Sequence, residues 1–292
     1  MRRVGAIFTP SFPPEALRDA AQTADESGVP ELWLWEDCFR ESAFATASAV
    51  LVWTTRMRVG IGVAPIPLRN VAATAMEIAT IERLFPGRLI PGVGHGVLEW
   101  MGQVGARAAS PLTLMREYVP ALRALLAGEE VSTTGRYVSL DRVRLNWPPV
   151  QPPGVVVSGE GPKTVRLTGE VGDGTVLPAG STPDRVARTL ALAREGRAGA
   201  GRDGSHELIV FVSTGFGGAA ARARLAEELG RAAGTVDPAL MVVGDAVEVT
   251  SAIDPFFTAG ATTVVLQPPE GETDLTGFMQ NVGAVARLID AG

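Results

Sequence analysis

The sequence predicts an α/β protein, a closed (β/α)8 TIM barrel forming a single domain over residues 1–292. Three observations lead there. Eight short runs rich in β-branched residues alternate with amphipathic, helix-length stretches along nearly the whole chain, always β before α. Two of these runs, Arg58-Val59-Gly60-Ile61-Gly62-Val63-Ala64-Pro65 and Arg88-Leu89-Ile90-Pro91-Gly92-Val93-Gly94-His95-Gly96, end in glycine-punctuated segments. Buried strands end this way where they open into loops that admit a flat ligand or a phosphate to the backbone. Closing eight such units leaves no unpaired sheet edge, which an open doubly wound sheet, the alternative arrangement, would retain.

Taken in order, strands are expected at Val4–Phe8, Glu31–Trp35, Met57–Val63, Leu89–Val93, Val155–Ser158, Gly174–Leu177, Leu208–Val212 and Thr262–Leu266. Helices are expected at Pro14–Gly28, Phe44–Val52, Val71–Leu84, Leu112–Leu126, Lys163–Val171, Pro183–Glu195, Ala219–Gly230, Ala246–Ala259 and Leu275–Ile289. Two segments depart from strict alternation. Glu129–Leu145 holds Val131-Ser132-Thr133-Thr134-Gly135-Arg136-Tyr137-Val138, which reads as a small β-hairpin inserted after the fourth helix. Between Gly230 and Met241 a segment with Gly234 and Pro238, followed by Met241-Val242-Val243-Gly244-Asp245, lengthens the seventh unit. Proline-rich Asn146–Gly154 reads as a rigid lead into the fifth strand, because the βα pattern resumes at once.

Composition narrows the function. With 26 Lys+Arg against 32 Asp+Glu the net charge is −6, so no basic field exists to hold a nucleic-acid backbone. Cys38 is the only cysteine, which excludes an internal disulfide or a cysteine-rich zinc site and fits a reducing, cytoplasmic setting. No uncharged apolar stretch reaches about 18 residues, so a membrane span is not expected. The opening apolar run is too short for a signal sequence. Two histidines and no carboxylate cluster predict no metal site.

Site candidates fall on strand ends and helix starts. Glu36 and Asp37 follow the aromatic second strand; acids there either face a barrel mouth or pair with arginines such as Arg40, and Asp37 could equally cap a helix. Cys38 reads as filler more than as a nucleophile, with no histidine near it in sequence. His95, between Gly94 and Gly96, projects from an open loop and either meets a cofactor ring or donates to a carbonyl as a structural histidine. His206 lies in a charged stretch and is expected to be exposed. Two segments look built for anions. Gly159-Glu160-Gly161-Pro162-Lys163 aims free N–H groups of a helix start at a phosphate, and Gly180-Ser181-Thr182-Pro183 repeats the scheme, with a plain Ser/Thr cap as its alternative.

The succession Leu32-Trp33-Leu34-Trp35-Glu36-Asp37, Val59-Gly60-Ile61-Gly62-Val63-Ala64-Pro65, Pro86-Gly87-Arg88, Gly92-Val93-Gly94-His95-Gly96 and Val171-Gly172-Asp173-Gly174 resembles the bacterial luciferase-like monooxygenase superfamily, including its coenzyme F420-dependent reductases. The resemblance runs from Val4 to about Ile289. It implies a flavin or deazaflavin at the carboxyl ends of the barrel strands, supported by a non-proline cis peptide at Gly62–Val63 or Val63–Ala64. By the same resemblance Gly62, Val63 and Ala64 lie near the ring and Gly94, His95 and Gly96 line it. Gly159, Glu160, Gly161, Lys163, Gly180 and Ser181 hold the phosphate tail. The sequence departs from the family at two positions: Asp37 stands where many FMN-using relatives have histidine, and Cys38 where several F420 reductases and luciferases have it.

The expected function is hydride transfer between reduced F420 and a small organic substrate, with Asp37 or Glu36 exchanging a proton and His95 polarising ring or substrate. Trp35, Phe39, Trp100 and Met101 would form an apolar wall, or core. The alternatives are an FMN-dependent monooxygenase using O2 and a partner flavin reductase, a non-catalytic flavin- or deazaflavin-binding barrel, and a non-redox barrel. A Schiff-base aldolase is disfavoured because Lys163, the only lysine, sits at a helix start. The resemblance also implies a homodimer formed through the helices beside strands two and three.

Overall fold

The computed structural model describes residues 2–234 and 236–291. Thr235, in the lengthened seventh unit, lies outside the described residues with Met1 and Gly292. In chain order the strands are β1 (Arg3–Ile7), β2 (Glu31–Leu34), β3 (Arg58–Ile61), β4 (Ala64–Pro65), β5 (Leu89–Ile90), β6 (Gly92–Gly94), β7 (Val131–Thr134), β8 (Ser139–Val143), β9 (Val156–Ser158), β10 (Gly174–Leu177), β11 (Glu207–Phe216), β12 (Val242–Gly244) and β13 (Thr263–Gln267). The helices are α1 (Leu17–Glu26), α2 (Ala43–Trp53), α3 (Val71–Leu84), α4 (Leu98–Gln103), α5 (Pro111–Leu126), α6 (Pro162–Val171), α7 (Pro183–Gly199), α8 (Ala219–Ala233), α9 (Ala246–Thr258) and α10 (Leu275–Ala291).

The main sheet is parallel throughout, in the order β4-β6-β9-β10-β11-β13-β1-β2-β3-β5. Its strands read as continuous apolar runs because both faces are covered: all four residues of β2 and of β10 are buried. The third expected strand, Met57–Val63, stops as β3 at Ile61, and past the cis peptide Gly62–Val63 the same run resumes as β4. The fourth is broken into β5 and β6 at Pro91, which has no N–H to give to a ladder. The first halves pair with each other at Val59 and Leu89, and the second halves at Ala64 and Val93. The two ends of the sheet order are therefore halves of the same two runs, and the sheet curls. Strands β7 and β8 pair antiparallel, apart from this sheet.

Packing has two layers. Inside the curl, Ile7, Trp33, Ile90, Val156, Val176, Ile209, Phe211 and Val265 form one cluster, while the opposite strand faces join the helices in a far larger one. Trp33 fills the interior and dictates Gly60: a Cβ there would come within 2.4 to 2.6 Å of three indole atoms. The amino ends of the strands are closed by charge. Glu31, 1% exposed, accepts from Arg58 Nη1 at 3.2 Å on one oxygen and from Trp33 Nε1 at 3.1 Å on the other, and pairs with the Arg3 guanidinium 3.1 Å away, so a buried carboxylate has a donor for each oxygen.

Three elements differ from expectation. β11 runs ten residues, because its far end, Thr214–Phe216, gains β12 as a parallel partner under a separate cluster of Ala221, Leu225, Leu229 and Val243. A short helix, α4, occupies the loop after β6. His206 is buried rather than exposed, because Arg202 turns inward to Asp173 and folds the charged stretch over it. No helix of the described residues is long and apolar enough to cross a membrane, and no group of three or more His, Cys, Asp or Glu among them could hold a metal ion.

Candidate active site

The carboxyl ends of the parallel strands surround a cavity of about 640 Å³, within the range of cofactor and small-molecule sites. A second cavity of about 560 Å³ lies at the opposite, amino ends, against the Arg3, Glu31 and Arg58 network. In parallel α/β folds chemistry belongs to the carboxyl ends, where loops vary freely on a rigid frame, so the first cavity is the candidate site. Each strand end delivers part of it: Trp35, Glu36 and Asp37 follow β2, Gly62 and Val63 join β3 to β4, and Gly94, His95 and Gly96 follow β6. Ser158, Gly159, Glu160 and Gly161 lead from β9 into α6.

Glu36 and Asp37 are adjacent, yet the structure gives them different work. Arg69 donates to both Glu36 oxygens, at 2.6 and 2.7 Å, and the Ala43 N–H adds a third bond at 2.9 Å. With both oxygens held, Glu36 supports the start of α2 and clamps the segment before α3, an arrangement suited to positioning. Asp37 carries no such pair. Burial pushes its carboxyl above the ordinary range, opposed by the Trp35 side chain and the Arg40 charge. The same burial, reinforced by Glu36 and Asp37, raises the Cys38 thiol, which keeps it protonated and inert. The Cys38–Phe39 peptide is also cis, a feature the sequence did not announce.

His95 Nδ1 donates to the Gly96 carbonyl at 2.7 Å, since a carbonyl can only accept. The neutral ring therefore presents Nε2 as an acceptor, and it donates from Nε2 only as imidazolium. Gly62 and Gly94 are fixed by the wall itself: a Cβ on Gly62 would meet Phe211 Cζ at 2.7 Å, and one on Gly94 would meet Val63 Cγ2 at 2.8 Å.

The two anion-binding candidates separate. Gly161 caps α6 without a side-chain bond, leaving the first N–H groups of the helix open beside the cavity lining of Gly159, Glu160 and Thr164. At the other segment Thr182 Oγ1 accepts from the Arg185 N–H at 3.3 Å, and Ser181 Oγ donates to the Pro178 carbonyl at 2.8 Å. The plain cap is what forms there. Ala64, Lys163, Gly180 and Ser181 are not among the residues lining the cavity.

The apolar wall is likewise revised. Trp35 stacks on Phe211 with ring centroids 5.9 Å apart, and both line the cavity with Trp100. Met101 is buried core beneath α4, and Phe39 is 65% exposed outside the lining. Phe211 and Gln267 had no signal in sequence: both faces of their strands are buried, so no alternation marks the inward residue.

Residues 2–233 match the family described as luciferase-like monooxygenases. The chain belongs to that family. Among curated relatives of this luciferase-like chain, the 5,10-methylenetetrahydromethanopterin reductase of Methanolobus tindarius is 29% identical over 199 residues, 68% of this chain and 60% of the relative. The match thus spans about three fifths of that protein's length. The F420-dependent glucose-6-phosphate dehydrogenase of Kineococcus radiotolerans is 28% identical, with 94% of each chain covered. A solved structure of the coenzyme F420-dependent tetrahydromethanopterin reductase from Methanopyrus kandleri superimposes with a TM-score of 0.84 over 99% of each chain at 20% identity, which establishes the fold.

Proposed function

We propose that this chain is an F420-dependent oxidoreductase that moves a hydride between the deazaflavin and a small organic substrate. The observation that carries this reading is the cavity at the carboxyl strand ends, walled by Gly62, Val63, Gly94, His95 and Gly96 and leading to the uncapped start of α6 at Gly161. A planar ring fits the glycine-walled part, and a phosphate fits the open N–H groups of Lys163 and Thr164 in the first turn of α6, reached past Gly159 to Gly161. The F420-dependent relative that covers nearly the whole chain favours the deazaflavin over FMN. When bound, the reduced deazaflavin supplies a hydride.

The chain's own residues do the rest. Asp37, with its proton affinity raised by burial, holds the proton that a reduced substrate oxygen takes, or receives it in the reverse direction. His95 Nε2 accepts a hydrogen bond from ring or substrate. Trp35, Phe211 and Trp100 exclude water around the transfer. Glu36, bound by Arg69, serves in this reading to position the segment beside Asp37.

The same reading includes a single closed (β/α)8 barrel over residues 1–292 with the β7–β8 hairpin as an insertion; the crossed pairing of β3 with β5 and β4 with β6 supports closure. It includes a homodimer through α2 and α3, supported by exposed Val52, Met76 and Leu84 on those helices, and a cytoplasmic setting, supported by the lone free Cys38. The test is oxygen consumption. Turnover of reduced F420 with a carbonyl substrate under argon is expected; a strict requirement for FMN, O2 and a flavin reductase would replace this reading by the monooxygenase one.

A further inference from the structure

The lining of the cavity carries no arginine or lysine among the described residues. The arginines that face its lining carboxylates Glu36, Glu160 and Asp37 are already engaged. Arg69 is held by Glu36 and faces Glu77 at 3.6 Å. Arg185 pairs with Glu160 at 3.0 Å, and Arg40 donates to the Pro10 carbonyl. Once the start of α6 and Lys163 are assigned to the cofactor phosphate, nothing positive is left for a second anion, while the Glu160 and Asp37 carboxyls line the same cavity. A phosphorylated or carboxylated substrate would enter a site that repels it.

The mouth has the opposite character toward apolar groups. Helix α4 is pinned by fully buried Met101, and this holds Val97 and Leu98 at the cavity rim, 47% and 38% exposed, beside Trp100. Apolar side chains fixed at a rim and open to water are what a hydrophobic ligand covers on binding.

We propose that the substrate part of this cavity takes a neutral ketone or secondary alcohol with an apolar chain lying along Val97, Leu98 and Trp100, and rejects phosphorylated substrates such as the one named for the Kineococcus relative. This rests on the cofactor reading above, because it is the cofactor that occupies the α6 start. The substrate oxygen meets Asp37, the alcohol O–H is the group that can donate to His95 Nε2, and the chain runs outward across α4.

The test is binding, read as quenching of intrinsic tryptophan fluorescence, with Trp35 and Trp100 in the lining. Acetone, 2-hexanone, 2-octanone and 2-decanone are titrated into the full-length protein with and without F420, alongside glucose 6-phosphate. The expected result is a Kd that falls about three- to fourfold per methylene along the ketones, with glucose 6-phosphate giving no saturable change. Leu98→Ser should flatten the chain-length dependence, and Leu98→Met should keep it. F420 binding with a flat ketone series, or with glucose 6-phosphate as the tighter ligand, overturns the substrate class while sparing the cofactor. A steep ketone series in a protein that does not bind F420 supports the apolar mouth and overturns the cofactor reading instead.

Discussion

His206 offers the sharpest check on the electrostatics of the fold. Thr168 Oγ1 donates to the Val165 carbonyl at 2.7 Å, so it accepts from Thr175 Oγ1, which in turn must accept from His206 Nε2–H at 2.8 Å. That chain fixes the tautomer and leaves Nδ1 buried without a partner. Protonating Nδ1 would place a charge in a buried site near Arg197 and Arg202, and burial together with those two arginines pushes the pKa down from 6.5 to about 4. The unfolded chain binds this proton first as pH falls. The native state is therefore at its most stable above 6.5 and loses stability as pH drops toward 4, by about 2 kcal/mol between pH 7.5 and pH 5. Equilibrium urea unfolding of the wild type and of His206→Gln at both pH values measures it. Gln retains a donor for Thr175 but does not titrate, so the variant's loss over this interval should be smaller by that amount. Identical pH dependence in the two proteins would refute the argument.

Other outcomes follow from single residues. Asp25 accepts backbone N–H bonds from Thr55, Arg56 and Met57, which hold its carboxyl below the ordinary 3.8 despite burial. Asp25→Asn should cost about 2 kcal/mol in urea unfolding at pH 7, with the deficit shrinking below pH 4, where the wild-type carboxylate is itself protonated. Glu31→Gln leaves Arg3 and Arg58 without their buried counter-charge and should destabilise by about 3 kcal/mol, measured as a lowered urea midpoint at unchanged slope. Gly60→Ala drives a methyl into Trp33 and should lower the thermal midpoint, with a shift in near-ultraviolet circular dichroism reporting the displaced indole. Asp37→Asn should lower kcat for carbonyl reduction by about 10² to 10⁴ and remove the fall in rate that rising pH causes as the Asp37 carboxyl loses its proton, while F420 still binds; an unchanged profile would take the proton role from Asp37.

The alternation of apolar runs and helices was legible because each run is buried on both faces and each helix keeps a polar side. Val71–Leu84 and Gly174–Leu177 fall where the pattern puts them to the residue. The glycine-punctuated runs marked the carboxyl-end segments of the third and fourth units, where a backbone that packs against Trp33 and Val63 tolerates no Cβ at Gly60 or Gly94; that both runs break in two was not marked. What stayed hidden was long-range. Glu36 and Asp37 look alike in sequence, and only Arg69, 33 residues away, separates the clamp from the proton carrier. Thr182 and Gly161 both precede a proline-led helix, but one has a hydroxyl to satisfy its own backbone and the other has none. His206 follows a charged, glycine-containing stretch that reads as solvent-facing until Arg202 finds Asp173. Phe211 sits in a run with no alternation to show its inward side.

The proposed function puts a deazaflavin in the cavity at the carboxyl ends of the strands. Separate titrations of the purified protein with F420 and with FMN, followed by ring fluorescence, decide whether it binds there. Saturable F420 binding at least about tenfold tighter than any FMN binding, weakened by His95→Ala, is expected. Tight FMN binding with none for F420 would contradict it.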